Sequence, residues 1–435
     1  MKTPQHGPYV QMRDEVEPRE DFLVRVSRAA TLAGLFLVSL LVVRVGGAIT
    51  IGDLLLMASA GLLAVVPKPP LATLKAPSVS RIVITLLIFV GGLIATSVSP
   101  APADSLQVLF RILYVAVILP WQIRRLFPTP RGLSLATTAF AMGAALCGFG
   151  SVLQNRLGPS IIPGAEVTIA GRYSGFTAHV SDAGGITALA VAAGVAGLGL
   201  GASRMTKFLS VGFIAGGLIG LILSGSVSGM ASAGAGTVAV MLLRGVSVGK
   251  LFLIGGAGGG AFYFASGVLS GTQNALTPLE RFYQAVGLTP SAASSLNTTA
   301  SRLETDRLGW ESFLANPWTG VGLDTQSSIV DHLYNLSVHN FILGAMHQGG
   351  WIFALGILLA ALSLLLPGLR LASGDSLRVR ATAMAVAAVT FAVTAPSFYN
   401  RYFWVPLALL AAYHSLPTKV PEPENNTKGD GSVKL

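Results

Sequence analysis

The sequence has little charge for its length. Only 11% of its 435 residues are Asp, Glu, Lys or Arg, whereas 52% are hydrophobic. A soluble domain carries about 25% charged residues, so this composition excludes an ordinary water-soluble globule. It equally excludes a disordered chain, which needs low hydrophobicity. The composition therefore predicts an integral membrane protein.

Cysteine is nearly absent, and several familiar motifs are missing. The one cysteine, Cys147, lies within an apolar run, which excludes a disulfide framework and a cysteine-rich metal site. No Walker, dinucleotide-binding or HExxH pattern occurs. Asp331, His332 and His339 are the best candidates for a zinc site, but they lack a zinc-site spacing. The sequence therefore predicts neither a metal nor another cofactor.

Long apolar runs fill most of the chain. A membrane-spanning helix needs about 20 predominantly apolar residues, and twelve stretches approach that length, the first, eleventh and twelfth being short. The predicted spans are Ala29–Val43, Ala48–Val66, Arg81–Ser97, Ser105–Ile123, Leu133–Leu153, Asp182–Leu200, Lys207–Leu223, Val227–Leu243, Leu251–Leu269, His339–Leu366, Ala381–Ala395 and Tyr402–Leu416. The predicted fold is an all-α polytopic integral membrane protein with about twelve transmembrane helices.

Basic residues alternate with these spans. With a cytoplasmic N-terminus, most of the 29 Lys and Arg residues fall in cytoplasmic segments, as the positive-inside rule requires. This predicts two cytoplasmic termini, so the net charge of +10 indicates membrane topology and no nucleic-acid partner. The predicted segments are a cytoplasmic leader (1–28), spans one to nine (29–269), a large outer loop (270–338), spans ten to twelve (339–416) and a disordered cytoplasmic tail (417–435).

Two local patterns add detail to this layout. Within the large loop, Ser301–Leu314 is predicted to form a short amphipathic helix whose apolar members are Leu303, Leu308, Trp310, Phe313 and Leu314. Asn316-Pro317 should end this helix. Gly225-x-x-x-Gly229 favours close helix packing rather than phosphate binding.

Arginine and histidine gather on the predicted outer side, where the positive-inside rule disfavours arginine. A guanidinium binds phosphate bidentately and can stabilise a leaving pyrophosphate. A neutral histidine can accept a proton from a hydroxyl group. The pattern therefore favours a lipid-linked phosphate or pyrophosphate substrate. The residues concerned are Arg156, Arg172, Arg281, Arg302, Arg307, His179, His332 and His339.

Each of these residues also has a structural interpretation. Arg172 could reach lipid headgroups, and His339 could cap a helix or lie at the interface. His347 could simply form hydrogen bonds within the bundle. Arg111 is a functional candidate because charge within a membrane is costly, or it could pair with Asp53 or Asp104. Arg302 and Arg307 could be solvent-facing residues paired with Glu304, Asp306 or Glu311.

Three patches resemble the O-antigen ligase and O-antigen polymerase superfamily. His339-Asn340, nine further residues and Gly350 resemble its His-Asn-x9-Gly signature. Arg302 with Pro317 in NPWTGVG resembles its Arg…Pro-x-x-Gly-Val-Gly stretch, and Gly171–Phe176 (GRYSGF) resembles its Arg-x-x-Gly-Phe segment. Asp306 stands where the family usually has an aromatic residue, which leaves the family arginine open between Arg302 and Arg307.

The resemblance implies a metal-independent glycosyltransferase in the cytoplasmic (inner) membrane. Such an enzyme moves a glycan from undecaprenyl pyrophosphate to an acceptor hydroxyl on the outer face, and the acceptor is a lipid, a polysaccharide or a protein. The resemblance favours a ligase. The alternatives are a polysaccharide polymerase of the same superfamily and a flippase or transporter of lipid-linked glycans. Membrane lipids are expected to surround the protein in each case. The predicted catalytic residues are His339, Arg302 and Arg172, and the predicted substrate-binding residues are Arg307, Arg281, Asn340 and His332.

Overall fold

The computed structural model describes residues 22–46, 49–66, 79–168, 171–199, 202–247, 298–332, 336–369, 375–394 and 398–416, with positions 249, 256, 259 and 260. Twelve helices lie in these ranges: α1 (Phe22–Leu37), α2 (Ile51–Val65), α3 (Val79–Val98), α4 (Pro102–Leu126), α5 (Pro130–Leu157), α6 (Val180–Gly197), α7 (Arg204–Ser224), α8 (Val227–Leu243), α9 (Thr298–Ala315), α10 (Phe341–Leu365), α11 (Ser376–Ala392) and α12 (Arg401–Tyr413). Two antiparallel pairs of short strands accompany them: β1 (Arg44–Gly46) with β2 (Ile49–Thr50), and β3 (Ile329–Asp331) with β4 (Leu336–Ser337).

Six of these helices, α3 to α7 and α10, are long and apolar enough to cross a membrane. Two more, α2 and α8, are apolar but shorter. The prediction of a mostly helical protein with several helices apolar enough to span a membrane is therefore confirmed, whereas the count of twelve spans and the large outer loop stay predictions. Most of the predicted ninth span, Leu251–Leu269, lies outside the described residues, as do the tail 417–435 and most of the leader.

The first helix differs from the predicted span Ala29–Val43. It begins at Phe22, within the predicted leader, and ends at Leu37. Val38, Leu40 and Leu41 are buried although they are not helical. The apolar run extends beyond the end of the helix because these residues pack into the core from an irregular segment. Hydropathy alone therefore predicted the wrong end for the helix.

Small residues allow the central helices to approach closely. A Cβ atom on Gly148 of α5 would lie 1.7 Å from the carbonyl oxygen of Gly216 in α7, so only glycine fits there. Gly229 of α8 packs in the same way against the backbone of Gly184 in α6, as the predicted small-residue motif requires. Helix α6 consequently packs against α5, α7, α8 and α11 and forms the centre of the bundle.

Helix α9 and the start of α10 lie at one end of the bundle, here called the α9 end. The segment after α1 joins this end, because the amide of Val42 donates to the carbonyl oxygen of Phe176. A buried ion pair between Asp53 and Arg401 links α2 to α12 there. Asp53 is thus paired with Arg401 and not with Arg111, whose guanidinium lies 6.0 Å from the ring centre of Tyr399.

Helix α10 is kinked at Gly350, whose φ of 68° and ψ of −175° are not helical. The amide of Trp351 donates to the carbonyl oxygen of Pro317 instead of continuing the helical pattern. A Cβ atom on Gly350 would lie 2.6 Å from the backbone of Trp318. The glycine of the His-Asn-x9-Gly pattern therefore lets the segment after α9 pack against α10, which fixes the position of α9.

Candidate active site

The site is organised around the corner that joins α7 to α8, residues 224–228, here called the corner. Gly225 ends α7 in the left-handed conformation with φ of 56°, which glycine adopts readily. Ser226 then caps α8 by accepting from the amide of Gly229 at 3.1 Å. The corner thereby presents the carbonyl of Ser224, the hydroxyl of Ser228 and the positive end of the α8 dipole at the α9 end.

Arg172 is bound to the first residue of the corner. Its Nε donates to the carbonyl oxygen of Ser224 at 2.6 Å, and the neighbouring amide of Tyr173 donates to Leu223 at 3.0 Å. A tight turn at Gly171, with φ of 66°, brings Arg172 back along Thr168, whose amide donates to the Arg172 carbonyl. Arg172 is half-buried and its guanidinium binds a backbone carbonyl of the protein. Contact with lipid headgroups is therefore not needed to explain its position.

Arg302 contacts the same corner through a different residue. It lies in the first half of α9, half-buried, and its Nη1 donates to the hydroxyl of Ser228 at 3.2 Å. Its Nε is buried and has no hydrogen-bond partner among the described residues. Burial lowers the pKa of Arg302, which Asp306 partly opposes, yet a guanidinium remains charged at any working pH. The corner thus brings two of the predicted arginines together.

The face of α9 that packs inward is not the predicted apolar one. Phe313 is buried, but Leu303 is 68% and Leu314 58% exposed. The inward stripe instead runs through Arg302, Thr305 and Gly309, three to four residues apart. Gly309 packs against Val338, so the amphipathic helix was predicted at the right place with the wrong face.

His339 follows Val338 and lies beside α9. Burial lowers the pKa of His339 to about 4; the charge of Arg302 adds to this effect, and a hydrogen bond to the backbone of Ser337 opposes it. The imidazole is therefore neutral at pH 7. Its Nδ1 is buried with no hydrogen-bond partner in the part of the chain that is described. An orphaned ring nitrogen beside a guanidinium is a ready hydrogen-bond acceptor for a hydroxyl group.

Asp306 connects these two residues and was missed as a site residue in the sequence. Its carboxylate accepts the backbone amide of His339 and interacts with Arg302, one turn earlier on α9. Burial raises the pKa of Asp306, and both contacts oppose that shift. Helical spacing from Arg302 was the available signal. Ser224 and Ser228 were also missed, because serines in a glycine-rich helix corner resemble a packing motif.

The structure separates Arg302 from Arg307. Arg307 lies on the exposed face of α9, where it binds Glu304 at 2.6 Å and Glu311 at 2.5 Å. These are the intrahelical pairs expected of a solvent-facing residue. Arg302 is thus the arginine of α9 that lies beside His339, and Arg307 is not part of this cluster.

The remaining predicted residues lie at different distances from the cluster. Asn340 caps α10, its side-chain oxygen accepting the amides of Ile342 and Leu343, which places His339 directly before the helix. His332 is exposed beyond β3. Arg156 lies near the end of α5, and Arg281 lies outside the described residues. Binding of substrate by Asn340, His332 and Arg281 stays a prediction.

His347, two turns below His339, has a supporting role. Its Nε2 lies 2.9 Å from the carbonyl oxygen of Ser327, and its Nδ1 lies 3.0 Å from the hydroxyl of Ser312. The carbonyl can only accept, so Nε2 carries the proton and Ser312 donates to Nδ1. His347 therefore joins α9 to α10 and to the loop between them, as its structural interpretation predicted.

His179 and Glu166 form a charged pair near Arg172. The imidazole of His179, which precedes α6, lies 3.5 Å from the carboxylate of Glu166. Their hydrogen bond raises the pKa of His179 and lowers that of Glu166. Arg172 also lies within electrostatic range of Glu166. A negative ligand near Arg172 would therefore find one opposing carboxylate, which His179 partly neutralises.

The low pKa of His339 predicts the acid limit of activity. If the neutral imidazole is required, kcat/KM should stay level as pH falls through 6.5 and drop only below about pH 5. A bound pyrophosphate would raise the pKa of His339, so the acid limb of kcat should lie at higher pH than that of kcat/KM. Rates measured from pH 4 to 8 test this. A kcat/KM limb at pH 6.5 would mean that the essential group is an ordinary solvated histidine.

No family model matches the chain, and a search of curated proteins finds no match either. Among the described residues, no three His, Cys, Asp or Glu side chains come together in an arrangement that could hold a metal ion.

Proposed function

We propose that the protein is a membrane glycosyltransferase that moves a glycan from undecaprenyl pyrophosphate to an acceptor hydroxyl. The observation that carries this proposal is the position of two guanidinium groups, Arg172 and Arg302, on one five-residue corner. His339, neutral at pH 7, lies beside the second of them. Two cations can stabilise the leaving pyrophosphate, and one proton acceptor can take the proton of the attacking alcohol.

In the proposed step, the pyrophosphate of the donor binds to Arg172 and Arg302, because paired charge-assisted hydrogen bonds suit phosphate oxygens. The acceptor hydroxyl donates to Nδ1 of His339. Its oxygen forms a bond to the anomeric carbon as the bond from that carbon to the pyrophosphate breaks. The proton passes to His339, and the arginines stabilise the negative charge that develops on the leaving group.

We further propose that the α9 end faces the outside of the cytoplasmic membrane, with both termini inside. The basic residues at the opposite end support this orientation, since cytoplasmic ends of membrane proteins are rich in Lys and Arg. Those in the described ranges are Arg25, Arg28, Arg81, Arg124, Arg125, Arg131, Arg204, Lys207, Arg244, Arg378 and Arg380. An outward site suits an acceptor that belongs to the cell envelope.

Ligase and polymerase share this chemistry and differ only in the acceptor. A ligase transfers the glycan to another lipid, a polysaccharide or a protein, whereas a polymerase transfers it to a second lipid-linked repeat. We favour the ligase on the strength of the His339-Asn340 signature. A flippase would instead move the donor across the membrane without forming a new glycosidic bond.

A reconstituted assay separates these possibilities. The purified protein is placed in liposomes with undecaprenyl-pyrophosphate glycans from the source envelope and candidate acceptors. We expect a new glycosidic product and release of undecaprenyl pyrophosphate, and the reducing end of the product identifies the acceptor. Transbilayer movement of the donor with no new glycosidic bond would refute the enzyme and support a flippase.

A further inference from the structure

A small cavity opens at the opposite end of the bundle, far from the corner. It has a volume of about 120 Å³ and lies between α5, α7 and α11. Its polar lining residues are Ser134, Thr138, Thr206, Ser376 and Arg380. None of these residues belongs to the candidate active site, so the cavity needs its own explanation.

Arg380 is the unusual member of this lining. Only 7% of its surface is exposed, yet its hydrogen bond to Thr138 is long, at 3.4 Å. Its Nε is buried and lacks a partner, and no carboxylate forms a salt bridge with it, among the residues that the structure describes. A buried cation without an anionic partner is costly, so the site is incomplete without a negative group.

The packing around Arg380 holds the guanidinium at the cavity. A Cβ atom on Gly197 would lie 2.7 Å from Nη2 of Arg380 and 1.9 Å from the hydroxyl oxygen of Ser210. The guanidinium of Arg380 therefore packs closely against α6. A tetrahedral oxyanion accepts hydrogen bonds in several directions, and a guanidinium with surrounding hydroxyl groups can supply them.

We infer that this cavity binds a phosphate group, either the headgroup of an anionic phospholipid or free inorganic phosphate. The cavity lies at the end where basic residues gather, and headgroups of the adjoining leaflet lie at that depth. Arg131 and Lys207, both exposed, lie one turn or less along the chain from the lining residues Ser134 and Thr206. The inference does not depend on the proposed glycosyl transfer.

Thermal unfolding of the full-length protein in neutral detergent tests the inference. Short-chain phosphatidylglycerol, short-chain phosphatidylcholine and sodium phosphate are titrated separately at constant ionic strength. We expect phosphatidylglycerol or phosphate to raise Tm in a saturable way, and phosphatidylcholine to have little effect. Arg380→Gln should weaken the apparent affinity by at least about tenfold, because it removes a charge-assisted contact. Arg25→Gln, a matched change at an exposed arginine of α1 that does not line the cavity, should leave it within about twofold.

A second variant keeps the test valid should Arg380→Gln fail to insert. Ser134→Leu leaves the guanidinium in place and fills the half-buried side of the cavity, so it should abolish the ligand-dependent rise in Tm. A response to phosphate alone would identify a free-anion site, and a response to phosphatidylglycerol alone a lipid site. An unchanged response in Ser134→Leu, or the absence of any response in the wild type, would overturn the inference.

Discussion

Replacing His339 by glutamine should reduce glycan transfer by about 10²- to 10⁴-fold, the range that a positioned general base contributes. Nδ1 of His339 is buried, has no hydrogen-bond partner in the described part of the chain and belongs to a neutral ring. Glutamine keeps the size and a polar end but cannot take up a proton at neutral pH. Donor binding should change little, so the loss should appear in kcat.

The matched change His414→Gln serves as the control. His414 lies at the end of α12, at the opposite end of the bundle, and its replacement should leave transfer within about twofold. Binding of the donor is measured separately, by protection of the variant against thermal unfolding. A His339→Gln variant that retains most of the wild-type kcat would show that the histidine only orients the acceptor or lies outside the reaction.

Replacing Arg302 by glutamine should have the second large effect, a loss of about 10²- to 10³-fold in kcat/KM. The guanidinium bonded to Ser228 faces the same corner as Arg172, where the leaving pyrophosphate is proposed to bind. Arg302→Lys should recover only part of the activity, because an ammonium group cannot reproduce bidentate contacts. A transfer assay across a range of donor concentrations measures both effects.

Arg307→Gln is a sharp comparison for this prediction, since it makes the same change on the same helix. Arg307 is exposed and occupied by Glu304 and Glu311, and exposed pairs of this kind contribute little. We expect Arg307→Gln to retain at least about a third of the activity. Equal losses in the two variants would mean that α9 as a whole contacts substrate and that its inward stripe is not special.

Much of the architecture follows from the sequence because long apolar runs have few ways to fold. Runs such as Leu133–Leu153 and His339–Leu366 are apolar enough that a helix within the membrane is the only way to satisfy their backbone. Accordingly α5 and α10 lie where these runs predict them. The stop at Asn316-Pro317 is equally local, since proline cannot continue a helix, and α9 ends at Ala315.

The end of α1 could not be predicted from hydropathy. Hydropathy cannot distinguish an apolar residue in a helix from one in a buried irregular segment, and Leu40 and Leu41 are of the second kind. The inward face of α9 could not be predicted for a related reason. Gly309 packs inward against Val338 and Thr305 is buried, whereas the more apolar Leu303 is exposed.

The sequence by itself determined the class of the molecule, the positions of most helices and the residue types of the site, because these depend on local composition and on chemistry. The tertiary structure decided which groups lie together. Arg302 and Arg307 are five residues apart and chemically identical, and only the rotation of α9 against the segment before α10 turns one towards the corner. The neutral state of His339 was likewise decided by burial and by the charge of Arg302, which depend on contacts distant in sequence.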